Sequence, residues 1–216
     1  TWAMMLGVAR RIVPADRYMR QSEFKGWGAE VFLGGDVHGK TLGIIGLGEI
    51  GSAVARRATG FNMRTLYHQR NRLPEREENQ LDVEYVTYNK ILRESDFLTL
   101  HVPLTEETEY MISNAEIALM KKTAYLIHTA RGKVIDDYAL VAALKEGRIA
   151  GAALDVYEDE HTITEGMTEL SNLMLLPHIG SASFETRDKM ALLVVDNIID
   201  ALSGKIPRSL VPGYPK

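Results

Sequence analysis

The chain has 216 residues, 45% of them hydrophobic, which is enough to bury a full core as one large domain or two small ones. Its 29 acidic residues exceed its 25 basic ones, and without a block of lysine or arginine the sequence predicts no nucleic-acid partner. The lack of cysteine excludes disulfides and thiolate catalysis, and no metal site is predicted. The apolar runs are too short to cross a bilayer and no signal peptide opens the chain, so we expect a cytoplasmic protein without a membrane partner.

The first segment, residues 1–13, has the pattern of a mostly apolar helix that no capping residue precedes. For that reason we expect further sequence upstream of Thr1. We also expect the apolar faces of this helix to be exposed and to cause self-association. Residues 14–36 mix aromatic side chains with glycines, which predicts a winding connection.

From Lys40 onward, short apolar runs alternate with longer amphipathic ones, which is typical of βα units. The predicted strands are 41–45, 63–67, 84–86, 97–101, 124–128, 150–154 and 173–175. The predicted helices are 50–59, 88–94, 114–120, 137–146 and 183–202, and residues 70–80 are predicted as a surface loop with a short helix. Continuous apolar strands separated by helices predict an α/β fold with a doubly wound parallel sheet covered on both faces.

A glycine-rich sequence follows the first predicted strand and opens the next helix, which is where a dinucleotide site requires it. The first glycine permits a tight turn, the second lets the backbone approach a pyrophosphate, and the third lets helix and strand pack closely. The alternative is a turn without a ligand, but the context favours a cofactor. The residues of this loop are Gly46, Leu47, Gly48, Glu49, Ile50 and Gly51. We therefore expect one Rossmann-type dinucleotide-binding domain over residues 1–216, with a leading helix and connection over 1–38 and a closing helix over 183–203.

The end of the second strand carries the residue that separates NAD from NADP sites. Gln69 stands where an NAD site usually has a carboxylate, and Arg70 and Arg72 follow it. Glutamine does not repel a 2′-phosphate and arginine offers it a planar set of donors, so the sequence favours NADP over NAD. The alternative is that both arginines are solvated charges beside the acidic residues that follow.

Three polar residues follow the last predicted strands, where α/β sheets place their sites: Arg131, Glu160 and His178. Reduction of a 2-keto acid needs a cation for the carboxylate, a proton for the developing alkoxide and a partner that poises the proton donor. Arg131 can supply the first, His178 the second and Glu160 the third. Taken singly, each has an ordinary structural interpretation, but their common placement beyond a dinucleotide loop favours catalysis.

These segments together resemble the D-2-hydroxyacid dehydrogenase family from end to end. The resemblance is carried by residues 39–51, 100–105, 130–134, 154–160 and 177–183, and within the family the chain looks most like glyoxylate and hydroxypyruvate reductases. It implies that Arg131, Glu160 and His178 are catalytic. It also implies an adenosine side lined by Val102, Pro103 and Thr108, and a nicotinamide side lined by Thr129, Ala130, Arg131, Asp155, His178 and Gly180.

The resemblance further implies a homodimer, to which the first helix and residues 104–120 contribute, and an N-terminal substrate domain whose sequence is not in these residues. The chain departs from the family at His161, where a proline usually follows the catalytic glutamate, and at His128, which is usually asparagine. With histidine at position 161 instead of proline, the position of the loop that covers the site is open. The change at His128 is expected to alter the hydrogen bonding around Arg131.

Two other functions stay open. One is a corepressor-like protein, related to the C-terminal-binding proteins, that binds partners in response to nicotinamide nucleotide. The other is a cofactor-binding fragment without turnover. Which 2-keto acid is used, and in which direction, stays open too.

Overall fold

A seven-stranded parallel sheet forms the centre of the larger of two units in the computed structural model, which describes residues 1–21 and 24–210. The units are Thr1–Pro177 and His178–Lys216. The strands are β1 (Thr41–Ile45), β2 (Arg64–His68), β3 (Val83–Tyr85), β4 (Phe97–Leu100), β5 (Tyr125–His128), β6 (Gly151–Leu154) and β7 (Leu173–Leu175). Their order is β3-β2-β1-β4-β5-β6-β7, and every neighbouring pair is parallel. This confirms the predicted Rossmann-type doubly wound α/β fold.

The central strands β1, β4, β5 and β6 are buried on both faces, as their continuous apolar runs predict. Successive side chains of β4 enter different cores: Phe97 packs with Leu42 and Ile127 on one face of the sheet, and Leu98 packs with Leu126 on the other. The sheet therefore separates two apolar layers.

The α-helices described in the larger unit either precede β1 or lie between two strands. They are α1 (Trp2–Ala9), α2 (Ile12–Arg20), α3 (Glu49–Ala58), α4 (Glu75–Leu81), α5 (Tyr88–Glu94), α6 (Asn114–Ile117) and α7 (Asp137–Lys145). Most predicted bounds agree to within two residues. Helix α6 is shorter than its predicted span of 114–120, although Ser113 and Glu116 form the capping box that starts it.

The first predicted helix was wrong in two respects. The chain breaks at Arg10 and Arg11, where Arg11 has φ of 52°, and a second helix runs through Pro14 to Arg20 instead of the predicted winding connection. Pro14 lies in the first turn of α2, where its missing N–H removes no helical hydrogen bond. Helix α1 is not exposed, because Met4, Met5 and Ala9 are buried in the core. The predicted self-association through exposed faces of this helix therefore loses its basis.

The smaller unit contains α8 (Phe184–Leu202), one residue shorter than the predicted closing helix. Ser183 caps its start by accepting a hydrogen bond from the Thr186 amide at 3.2 Å. Near its end, the guanidinium of Arg208 donates to Asp196 and Asp200. Among the described residues, no helix combines the length and the apolar character that a membrane crossing requires.

Candidate active site

At two positions of the glycine loop between β1 and α3, the surrounding backbone leaves room only for glycine. Gly46 has φ of +90°, and a Cβ there would lie 2.6 Å from the carbonyl oxygen of His101. A Cβ at Gly51 would lie 2.2 Å from the carbonyl oxygen of Gly46. The tight turn and the close helix packing predicted for these glycines are therefore requirements of the backbone.

Gly48 differs, because a Cβ there would meet no described atom within 4 Å. It is the N-cap residue of α3 and is exposed, and as a glycine it has no side chain that could accept from the first helix amides. The space above it thus lies at the positive end of a helix. Such a space fits the pyrophosphate of a dinucleotide, which needs close backbone approach and amide donors.

Gln69 holds this loop. Its Oε1 accepts a hydrogen bond from the Leu47 amide at 3.0 Å, and its Nε2 donates to the Asn71 carbonyl at 2.7 Å. The residue expected to discriminate between cofactors therefore also ties the end of β2 to the glycine loop, which the sequence pattern did not reveal.

The two arginines after Gln69 have different surroundings. Arg72 donates from Nε and Nη2 to the two carboxylate oxygens of Glu78, at 2.8 and 2.7 Å, and its guanidinium lies 5.7 Å from the Tyr85 ring centre. Arg70 is exposed and contributes to the lowered pKa of Glu107, whose main cause is the Thr105 hydroxyl. Arg72 is thus engaged by the protein, and Arg70 is the better candidate for a phosphate.

Arg72 and Glu78 belong to a hydrogen-bonded arrangement in which Glu78 and Tyr67 are buried and Arg72 stays exposed. Glu78 also accepts from the hydroxyl of Tyr67, which in turn accepts from the Leu73 amide at 2.9 Å. The hydrogen bonds from Arg72 and Tyr67 lower the pKa of Glu78 to about 2, and burial raises that of Tyr67 to about 12. The arrangement fixes the backbone after β2, on which Arg70 is carried.

The predicted adenosine side follows β4. Val102 is half-buried and Pro103 is exposed. The hydroxyl of Thr108 donates to the Pro103 carbonyl at 2.7 Å and accepts from the Thr105 amide at 2.8 Å. Thr108 therefore shapes the loop that these residues form.

The segment after β5 carries Arg131 on an extended backbone. The Nε2 of buried His128 donates to the Arg131 carbonyl at 2.9 Å, and Arg131 Nη1 donates to the Ala130 carbonyl at 2.7 Å. Burial lowers the pKa of His128 to about 4, so this imidazole is neutral. At the position where the family usually has asparagine, His128 thus supplies a hydrogen bond to the backbone of Arg131. On the predicted nicotinamide side, the Thr129 hydroxyl lies 3.3 Å from that of Thr1.

The loops after β5 and β6 are in close contact. A Cβ on Gly132 would lie 1.6 Å from the Tyr157 carbonyl oxygen, so only glycine fits between them. Asp155 is buried directly after β6, and its amide donates to the His128 carbonyl at 3.0 Å. Glu160 is exposed five residues further on. The larger unit therefore holds Arg131, Asp155 and Glu160 on two adjoining loops at the carboxyl ends of the strands.

His178 and Gly180 lie in the smaller unit, as its first and third residues. His178 has φ of 54°, in the left-handed region that few non-glycine residues adopt. Along the chain it comes three residues after β7, as predicted. The three predicted catalytic residues are thus divided between the two units.

Sequence patterns missed Asp137 and Glu158, which connect the Glu160 loop to α7. Asp137 is buried at the start of α7, and its amide donates to Glu158 Oε1 at 3.0 Å. An acidic residue in a first helical turn is common, and the pattern gave no signal of this contact.

A cavity of about 1120 Å³ lies elsewhere in the larger unit, beside α1, α2 and β7. Its lining includes Tyr125 at the start of β5, and Ala150 and Asn172 just before β6 and β7. These residues mark the amino ends of the strands, whereas sites of parallel α/β sheets form at the carboxyl ends. We therefore do not place the active site in this cavity.

Comparison with known proteins agrees with this geometry. The family model of the D-isomer specific 2-hydroxyacid dehydrogenase, NAD binding domain, matches residues 2–180. A glyoxylate reductase of Thermococcus kodakarensis is 52% identical over 214 residues, covering 97% of this chain and 64% of the relative. The chain therefore spans less than two thirds of that relative.

Solved structures agree as well. The crystal structure of a glyoxylate reductase from Paecilomyes thermophila matches with a TM-score of 0.86 at 40% identity, covering 97% of this chain and 62% of that one. An acyclic imino acid reductase in complex with NADPH and D-Arg matches with a TM-score of 0.83 at 30% identity, covering 97% and 66%.

Proposed function

Because the chain belongs to the D-isomer specific 2-hydroxyacid dehydrogenase family, we propose that it binds a nicotinamide dinucleotide and serves an oxidoreductase that reduces a small 2-keto acid to the D-2-hydroxy acid. The observation that carries the proposal is the open space above Gly48, between two glycines that the backbone requires. Glyoxylate and hydroxypyruvate are the proposed substrates, since relatives about half identical in sequence are named glyoxylate reductases.

The loop residues 46–51 would hold the pyrophosphate through backbone amides at the start of α3. Val102, Pro103 and Thr108 would line the adenosine, and Thr129, Ala130, Asp155 and Gly180 the nicotinamide. The bound dinucleotide supplies the hydride. We assign residues 1–216 to this cofactor-binding role, and the substrate domain to sequence that the longer relatives have in addition.

Arg131 would hold the substrate carboxylate and polarise the ketone, because its guanidinium offers paired donors to planar anions. His178 would give the proton to the oxygen of the reduced ketone. Glu160 would orient the imidazole for this proton transfer. The fixed backbone of Arg131 and the close approach of its loop to that of Glu160 support these roles.

NADPH is the preferred cofactor in this proposal. Gln69 puts no carboxylate near a 2′-phosphate, and Arg70 is exposed beside the loop after β4. Arg72 is not included in this role, since Glu78 engages it. We further propose a cytoplasmic homodimer, which rests on the family resemblance alone.

The proposal is tested on the protein as its gene encodes it. Titration with NADPH and NADH should show binding, and glyoxylate or hydroxypyruvate should oxidise the bound NADPH with formation of the D-hydroxy acid. Dinucleotide binding without reduction of any 2-keto acid in a panel would leave a nucleotide-responsive binding protein as the better account.

A further inference from the structure

A buried carboxylate ties both ends of the loop that carries Glu160. Oδ2 of Asp137 accepts a hydrogen bond from the Thr164 hydroxyl at 3.0 Å and from the Glu158 amide at 3.3 Å. Glu158 lies two residues before Glu160, and Thr164 lies four residues after it. Asp137 Oδ2 therefore accepts hydrogen bonds from the loop on both sides of Glu160, the proposed catalytic residue.

Glu158 also accepts hydrogen bonds through its own side chain. Its Oε1 accepts from the Asp137 amide at 3.0 Å, and its Oε2 accepts from the Tyr110 hydroxyl at 3.2 Å. We call the four residues Asp137, Glu158, Thr164 and Tyr110 the loop clasp. It anchors the loop to the start of α7 and to the segment before α6, and both of these pack on the core.

Within the clasp, the loop has a defined turn. Asp159 accepts hydrogen bonds from the His161 amide at 2.9 Å and from the Thr162 hydroxyl at 2.7 Å. The turn fixes local shape only, because all three residues move together with the loop. The clasp is what fixes the loop relative to the sheet and to Arg131.

This arrangement has an energetic cost. The Asp137 side chain is buried, and burial together with the carboxylates of Glu158 and Asp136 raises its pKa to about 6. Burying a carboxylate beside another is unfavourable unless hydrogen bonds compensate. A residue that served only to start α7 would not need to be buried beside other carboxylates. Asp136 already caps the helix by accepting a hydrogen bond from the Ala139 amide at 2.9 Å.

We propose that Asp137 is a positioning residue that, through the loop clasp, sets the place of Glu160 relative to the sheet. This inference rests on the proposed function. It predicts that breaking the clasp has the consequences of losing Glu160, while cofactor binding is unaffected.

The decisive variants are Asp137→Ala and Asp137→Asn in the protein as its gene encodes it. Alanine removes both hydrogen bonds to Oδ2. Asparagine keeps a carbonyl oxygen that can accept both, and removes only the charge. Glu165→Ala is the matched control, because Glu165 is an exposed carboxylate of the same loop.

In Asp137→Ala we expect turnover of glyoxylate to fall about 10- to 100-fold, since a misplacement of about 1 Å can cost that much. Asp137→Asn should restore most of the turnover, and Glu165→Ala should match the unmodified protein. In the Glu160→Gln background, Asp137→Ala should lower turnover no further, because the residue acts only through Glu160.

Unchanged turnover in Asp137→Ala, or a further loss of turnover in the double variant, would overturn the proposal. Amide hydrogen exchange of residues 158–164 separates this failure from failure of the proposed function, because it needs no activity. Faster exchange there in Asp137→Ala than in Asp137→Asn supports the clasp even in a protein that reduces no 2-keto acid, and equal exchange overturns it. If Asp137→Ala does not fold, Thr164→Val removes one of the two donors and the same comparisons apply.

Discussion

Arg70 and Arg72 lie two residues apart in the sequence. Their surroundings decide which of them is available to bind a phosphate. The sequence makes both arginines phosphate candidates, because it contains no information on where their guanidinium groups lie. Both side chains are exposed, but Arg72 forms an ion pair with the buried carboxylate of Glu78. The sequence thus predicts the segment that would contact the 2′-phosphate, and the ion pair of Arg72 with Glu78 leaves Arg70 as the candidate.

We expect Arg70→Ala to weaken NADPH binding about 10- to 100-fold and to leave NADH binding almost unchanged, because a hydrogen bond to a charged group contributes roughly 1.5–3 kcal/mol. Arg72→Ala is the matched variant, and it should change protein stability more than the ratio of the two affinities. Fluorescence titration with both cofactors measures this. Equal losses of NADPH affinity in the two variants would contradict the assignment.

Glu78 should make stability depend on acid pH. Arg72 holds its pKa at about 2, below the ordinary value of 4.5, so between these values the folded chain binds fewer protons than the unfolded chain. The stabilisation is therefore complete above about pH 4.5 and is lost as the pH falls through about 2. Glu78→Gln should be less stable at pH 7 and show a weaker dependence on acid. Urea unfolding at pH 3 and pH 7 tests this, with exposed Glu75→Gln of the same helix as control; parallel curves for all three proteins would refute it.

The proton donor gives a third prediction at this scale. His178→Ala should lower turnover by roughly a hundredfold or more with cofactor affinity nearly intact, since general acids contribute that much. Glu160→Gln should also lower turnover, because the imidazole loses the carboxylate that is proposed to orient it. Steady-state kinetics and cofactor titration measure both variants, and unchanged turnover in Glu160→Gln would rule out the pairing.

At the scale of elements, periodicity was a good guide wherever burial is uniform. The bounds of β1, β7 and α5 agree with the predictions residue for residue, because a continuous apolar run or a helix with one apolar face leaves a clear pattern. The N-terminal prediction was wrong because a break at Arg11 depends on a left-handed backbone that no residue type there signals. The loop clasp was missed for a related reason: its hydrogen bonds join residues 21, 27 and 48 positions apart.

The glycine loop permits a test that separates folding from binding. Gly48→Ala should fold with unchanged stability, since its φ of −79° suits alanine and a Cβ meets no described atom within 4 Å. It should weaken dinucleotide binding at least tenfold, because the methyl group would occupy the space proposed for the pyrophosphate. Gly132→Ala is the contrasting variant and should destabilise the fold, since its Cβ would overlap the Tyr157 carbonyl. Thermal unfolding and titration together decide, and unimpaired binding by Gly48→Ala would move the pyrophosphate elsewhere.

At the scale of the whole molecule, the chain and its relatives differ in length. The glyoxylate reductases that it resembles are longer, and this chain spans 64% of them. The sheet, the glycine loop and both proposed catalytic loops of the larger unit lie within the described residues. The described residues therefore include the elements that we propose for cofactor binding, whereas substrate turnover is proposed to need the additional sequence of the longer relatives.

We expect residues 1–216, produced alone, to bind NADPH as a folded protein but to reduce glyoxylate at least a hundredfold more slowly than the protein as its gene encodes it. Arg131 is exposed in this chain, and a single charged contact in an open, wet site is strongly screened. Exclusion of water and enforced near-attack geometry require a second surface over the substrate, which the family resemblance assigns to an N-terminal domain. NADPH titration and glyoxylate reduction, measured on both proteins under the same conditions, test the two halves of the prediction. Comparable turnover would mean that Arg131 and its neighbouring loops suffice to hold the substrate, and the role proposed for a second domain would have to be abandoned.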